Sequence, residues 1–241
     1  MSVERNDVDI SSLFMWGKEF TFSTGLGKEL TVYIRLVGDS ELNRSRIYAL
    51  RSSSKLRNIL RDENSDERLA YLPNYEDVTR DNLVEGILSL SIRELAQKGA
   101  REIDIPYPTE PSSEDSLEKH EKYQKKVDEY PAKRQAKIEK FINDALDKKR
   151  ESMAILDKEA VYSLYKKILI DDLCENEMVT AYIESCTYFG IFNDEKYTER
   201  TFDSLEEFQN LPKEAKEKFI STYRELEIEQ DELKKSLQAT Q

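Results

Sequence analysis

Leu30-Thr31-Val32-Tyr33-Ile34-Arg35-Leu36 places Leu30, Val32, Ile34 and Leu36 on one face of an extended strand. Just upstream, Phe20-Thr21-Phe22 reads as its partner strand, and Ser23-Thr24-Gly25-Leu26-Gly27 as the glycine-permitted turn between them. An isolated hairpin is barely stable in water, so its apolar face needs a cover, most economically the helix that follows. Other segments read as helix or connector. The hairpin therefore makes the expected class α+β, predominantly α: an N-terminal β-hairpin packed on helices, then a polar helical arm and a C-terminal helical bundle.

Gly38-Asp39-Ser40 offers a stop and a cap, and the stretch from 41 to 61 puts Leu42, Ala49, Leu56 and Leu60 on one side of a helix. Arg44, Arg51 and Lys55 fall on roughly the opposite side. Six cations occupy this stretch, Arg44, Arg46, Arg51, Lys55, Arg57 and Arg61, against Glu41 alone. This is the clearest charge anomaly in a chain with 37 basic and 49 acidic residues and a net charge of −12. Each cation could neutralise a phosphate; alternatively they pair with the carboxylates of the second half or with a protein partner. The overall acidity disfavours nucleic acid, because a DNA-binding module is normally basic or has a recognisable reading helix.

Thr79 caps the next expected helix, Arg80 to Lys98, with Leu83, Ile87, Leu90 and Leu95 inward and Gly99 as its stop. REIDIPYPTEP, residues 101–111, holds Pro106, Pro108 and Pro111, each fixing φ and withholding an N–H. That makes it the expected boundary. The resulting division is a hairpin-plus-helices domain over 1–100, a proline-rich connector over 101–111, a polar helical arm over 112–156 and a C-terminal helical domain over 157–241. In the arm, Ser112-Ser113-Glu114-Asp115 opens the helix and Tyr130-Pro131 should kink or restart it. Asp157 caps the most apolar helix, Lys158 to about Phe189, which Gly190 ends. Ile191-Phe192-Asn193-Asp194 reads as a turn, Asp203-Ser204 as the start of a short helix, and Leu211-Pro212 as the lead into a last helix that frays past Leu237.

Composition excludes several function classes. No run approaches the roughly 18 to 20 apolar residues of a membrane span, and MSVERNDVDI has neither the basic start nor the apolar stretch of a signal peptide, so the expected location is a cytoplasm. One His, two Cys, seven Gly and six Pro leave little equipment for metal binding, His-based catalysis or disulfide stapling. Gly25-Leu26-Gly27-Lys28-Glu29 lacks the earlier glycine and the following Ser or Thr of a phosphate loop. His120 lies among Glu118, Lys119, Glu121 and Lys122 on a solvated face, with no orienting partner. Cys174 and Cys186 stand about 18 Å apart along one helix at 1.5 Å per residue, so they read as core residues. Asp171, Asp172, Glu175 and Glu177 lack the spacing of a calcium loop. The expectation is no enzyme, no cofactor and no metal.

The residues Tyr33-Ile34-Arg35-Leu36-Val37-Gly38-Asp39-Ser40-Glu41-Leu42-Asn43-Arg44-Ser45-Arg46-Ile47-Tyr48-Ala49-Leu50-Arg51, then Asp66-Glu67-Arg68, are similar to proteins of one kind. So are Leu173-Cys174-Glu175-Asn176-Glu177-Met178 and Tyr197-Thr198-Glu199-Arg200-Thr201-Phe202-Asp203-Ser204-Leu205-Glu206-Glu207-Phe208. In texture and element order the chain resembles the tail assembly chaperones of long-tailed bacteriophages and related prophages. The resemblance implies a small, acidic, largely helical protein of the infected host's cytoplasm. It would bind the long tape-measure protein, keep it soluble and help recruit tail-tube subunits; no catalytic residue carries over. Amphipathic helices suit such a client, since they can cover its apolar stripes while excess charge prevents coalescence. Leu42, Arg44, Ala49, Arg51, Lys55 and Leu56 are the candidate partner-binding residues, and the Val161/Leu164/Ile168 stripe is a second candidate contact. A virion structural or head-tail connector protein is the alternative reading, and a nucleic-acid-binding phage protein using the 41–61 helix is the next. A homo-oligomer is compatible with all three.

Overall fold

The computed structural model describes residues 17–23, 29–112 and 116–239. The expected hairpin turn over 24–28, the helix-opening residues 113–115, the extreme N-terminus and the last two residues lie outside them. The fold is α+β and predominantly α. Two compact units divide the chain, one formed by 1–56 with 174–241 and the other by 57–173.

In the first unit, β1 (Gly17–Ser23) pairs antiparallel with β2 (Glu29–Arg35), from Gly17 opposite Arg35 to Ser23 opposite Glu29. A third strand, β3 (Ile191–Phe192), joins the other edge of β2, with Tyr33 opposite Phe192 and Ile34 opposite Ile191. The sequence reading takes 191–194 as a turn; two residues are too few to show alternation, and only their pairing defines them as strand. Of the expected apolar face, Val32 and Ile34 are fully buried and Leu36 partly so, while Leu30 at the start of the strand is 37% exposed.

The helix that follows, α1 (Asp39–Arg61), contributes among the described residues only Leu42, at the margin of this core. The cover comes mainly from the other end of the chain: α5 (Leu205–Gln209) and α6 (Lys213–Ala239) supply Phe208, Phe219, Tyr223 and Leu226. Phe219 stands edge-on to Phe20 of β1 at 6.2 Å and to Phe202 at 5.9 Å, and Phe208 lies 5.5 Å from Phe202. Such edge-to-face rings add to the area they bury. An alternating strand announces an apolar face but not its partner, which explains the misplaced cover. At the end of α4 (Lys158–Gly190), a Cβ on Gly190 would stand 2.5 Å from the Arg35 carbonyl oxygen, so glycine lets the chain turn into β3 against β2.

The second unit is built on an antiparallel helical hairpin. Thr79 caps α2 (Arg80–Glu102), its hydroxyl accepting the Asn82 N–H at 3.2 Å. Gly99 does not stop this helix. It lies buried inside it, where a Cβ would press on Phe141 at 3.1 Å and Ile138 at 3.3 Å of α3 (Leu117–Met153). Closer to the other end, Lys149 reaches Ser91 and Arg150 reaches Glu85, fixing the opposite chain directions. Arg80 then donates to the carbonyls of Met153 at 2.6 Å and Leu156 at 3.0 Å, tying the start of α2 to the end of α3 and the turn after it. The core joins Leu83, Val84, Ile87, Leu88, Met153 and Val161.

Two organisational expectations are corrected here. The proline-rich stretch is the loop of this hairpin and not a boundary between units: the Tyr130 hydroxyl donates to the Ile105 carbonyl at 3.0 Å, the Tyr107 and Tyr130 rings meet at 5.0 Å, and Arg134 donates to the Ala100 carbonyl at 2.8 Å. The polar stretch is accordingly one side of the hairpin, in the same unit as α2, and the unit divisions at 56/57 and 173/174 fall inside α1 and α4.

Pro131 lies inside α3 without ending it. It removes one helical hydrogen bond at an exposed position, while the anchors through Tyr130 and Arg134 hold the flanking turns. Replacing it restores the donor and relieves the ring clash. We expect Pro131→Ala to raise stability by up to about 3 kcal/mol. A higher thermal midpoint at unchanged helical circular dichroism is the expected result.

Candidate partner-binding surface

The start of α1 is fixed by Glu41. Its carboxylate accepts the Gly38 N–H at 3.1 Å, two bonds from the Arg35 guanidinium at 3.0 Å each, and one from Arg200 at 2.9 Å. Backward reach from the first helical turn to the preceding N–H is half of a capping box. Arg200 also donates to the Phe189 carbonyl at 2.6 Å, and both guanidiniums lie on the Phe192 ring, 4.9 and 4.8 Å from its centre. The Arg35 and Glu41 side chains are each 15% exposed.

Burial alone would raise the Glu41 pKa, but the hydrogen bonds from Arg35, Gly38 and Arg200 and the charge of Arg35 outweigh it and hold the carboxyl below its ordinary value. A lowered folded pKa gives stability that is complete above the ordinary carboxylate range and is lost as pH falls through the folded value. Glu41→Gln should therefore flatten the acid side of the stability profile, checked by urea midpoints at a series of pH values. Sequence reading registered Glu41 only as the lone acid among cations; its partners Arg35 and Arg200 come from β2 and from the segment after β3.

The six cations of α1 meet different fates. Arg57 pairs with Asp171 at 2.6 Å, and Arg46 donates to Asn43 at 3.4 Å. Among the described residues Arg44, Arg51, Lys55 and Arg61 make no ion pair, so pairing with carboxylates of the second half is confined to Arg57. The candidate set splits by face. Arg44, Arg51 and Lys55 are exposed, with Ile47 beside them 51% exposed. Ala49 is buried, and Leu42 and Leu56 are half-buried, so these three turn toward the protein interior. In the second stripe Val161 is fully buried, with Leu164 and Ile168 packed on the same core; that stripe holds the second unit together instead of offering a contact surface.

Within the first unit, α1, α4 and α6 frame an open groove of about 570 Å³. Ala49, Tyr182, Ile183, Cys186 and Tyr223 line it, Leu50, Met178 and Val179 extend it outward, and Arg46, Arg224 and Glu227 supply its charge. Burial pushes the Cys186 thiol up, and the Tyr223 phenol is likewise raised, so neither is primed as a nucleophile. The groove went unread because its three walls are far apart in sequence. Leu50 falls off the buried stripe of α1, and its apolar character was the available signal.

Other chemistry is limited. Buried Ser91 donates to the Ile87 carbonyl at 2.7 Å and accepts from Lys149 Nζ at 2.6 Å. His120 is half-buried on α3. Among the described residues, no group of three or more His, Cys, Asp or Glu side chains is placed to hold a metal ion, and no helix is long and apolar enough to cross a membrane. Comparison with protein-family models, curated proteins and solved structures finds no match.

Proposed function

We propose that this chain is a non-enzymatic tail assembly chaperone of a long-tailed bacteriophage or prophage, acting in the host cytoplasm. It binds the tape-measure protein, keeps it soluble and helps recruit tail-tube subunits around it. The observation that carries this reading is the apolar groove on an acidic, largely helical body, with the exposed Arg44, Arg51 and Lys55, which make no ion pair among the described residues, on one of its framing helices. A long helical client with apolar stripes needs such a surface, and the net charge of −12 opposes coalescence of loaded complexes.

The same three cations favour one other reading, a nucleic-acid-binding phage protein, because they are exposed, make no ion pair among the described residues and could each neutralise a phosphate. Binding of duplex DNA that falls steeply with salt would replace the chaperone reading. Mass spectrometry of purified phage particles tests the remaining competitor. A chaperone is absent from finished particles, whereas a virion structural or head-tail connector protein remains in them at fixed stoichiometry.

A further inference from the structure

We infer that the groove between α1, α4 and α6 is a docking site for an amphipathic helix whose apolar stripe is flanked by carboxylates. The walls exclude one mode of peptide binding, addition of a strand. They are helices, whose interior N–H and C=O groups are already paired, so the groove offers no sheet edge to which an extended strand could add. A helix suits such walls, because it satisfies its own backbone and presents only side chains to them.

The length fits as well. From Met178 to Cys186 the α4 wall runs about 12 Å at 1.5 Å per residue, a little over two helical turns. That distance takes apolar anchors at i, i+3, i+4 and i+7. Leu50 is 58% exposed and Val179 38% exposed, and they continue the apolar lining to the surface where such anchors would enter.

Charge selects the flanks. Arg46 and Arg224 make no ion pair among the described residues. Glu227, one turn along α6 from Arg224, feels that cation and offsets it, leaving Arg46 as the uncompensated charge. An acidic flank is attracted here and a basic one is repelled. The inference defines the occupant by its chemistry and holds whether or not the client is a tape-measure protein.

The test uses the full chain and a fluorescein-labelled designed peptide of about four helical turns, with leucines at i, i+3, i+4 and i+7 and glutamates on both flanks. Anisotropy titration should show binding, at least about tenfold tighter than for the same peptide with lysine flanks. Leu50→Asp should weaken it about tenfold or more, while Ile92→Asp, also at an exposed apolar position but in the other unit, should leave it unchanged. Arg46→Glu with Arg224→Glu should reverse the flank preference, and circular dichroism should show each variant folded.

Equal affinity for both peptides, or unchanged affinity in folded Leu50→Asp, would overturn the inference. So would a concentration-dependent dimer that Leu50→Asp dissolves, since the groove would then belong to a second copy. Peptide binding without tape-measure binding removes the chaperone reading alone. Tape-measure binding that survives Leu50→Asp, with no peptide binding, removes the groove alone.

Discussion

Glu41→Ala should destabilise the first unit by about 3 to 5 kcal/mol, because it strips the carboxylate from Arg35 and Arg200 and leaves their guanidiniums packed on Phe192 without a counter-charge. Losing one partner of a buried pair costs far more than the pair contributes against an apolar replacement. Arg35 cannot escape easily: its side chain is 15% exposed and lies between β3 and the start of α1. Losing the carboxylate also frees the Gly38 N–H at the mouth of the helix. The check is the urea midpoint at neutral pH, with Lys133→Ala as reference. Lys133 has a carboxylate partner too, but on an exposed helix surface, where the loss should stay under about 1 kcal/mol.

Phe219→Ala should cost about 3 to 5 kcal/mol, the range for removing a buried aromatic ring. Phe219 is 1% exposed and touches Phe20, Phe202 and Phe208, so its loss opens a cavity where the sheet, the segment after β3 and α6 meet. The variant distinguishes the observed cover of the hairpin from the one its sequence suggests. If α1 were the cover, Leu42→Ala would be the more damaging change; with α6 as the cover, Phe219→Ala should exceed it clearly. Leu42 is only half-buried at the edge of that core. Chemical denaturation of the two variants side by side decides the matter.

Local rules in the sequence carried a good part of this fold. Alternation at Leu30 to Leu36 yielded the strand, Thr79 and Asp157 marked helix starts, and Gly190 marked the end of α4. Each is a property of a few neighbouring residues. What escaped involves distant ones. Gly99 reads as a stop by its type, but the close approach of Phe141 and Ile138 makes it a packing glycine inside a longer helix. Pro131 reads as a break, yet contacts with the connector hold the helix through it. A proline-rich stretch looks the same in a hairpin loop as in a linker between domains.

The candidate surface divides in the same way. Helical periodicity placed Arg44, Arg51 and Lys55 opposite Leu42 and Ala49, and the structure keeps that division. Which cations find a carboxylate depends on where the other helices lie, and among the described residues only Arg57 of the six meets one, Asp171. The groove has no periodic signature at all. It exists because Leu50, Val179, Tyr182 and Tyr223 from three separate helices come together.

The most direct test of the proposed role is co-expression of this chain with the tape-measure protein from the same phage genome, followed by affinity capture and measurement of the soluble fraction. The account predicts that the tape-measure protein is insoluble alone and becomes soluble in a complex that co-elutes with this chain. A tape-measure protein whose solubility is indifferent to this chain, with nothing captured, would contradict it.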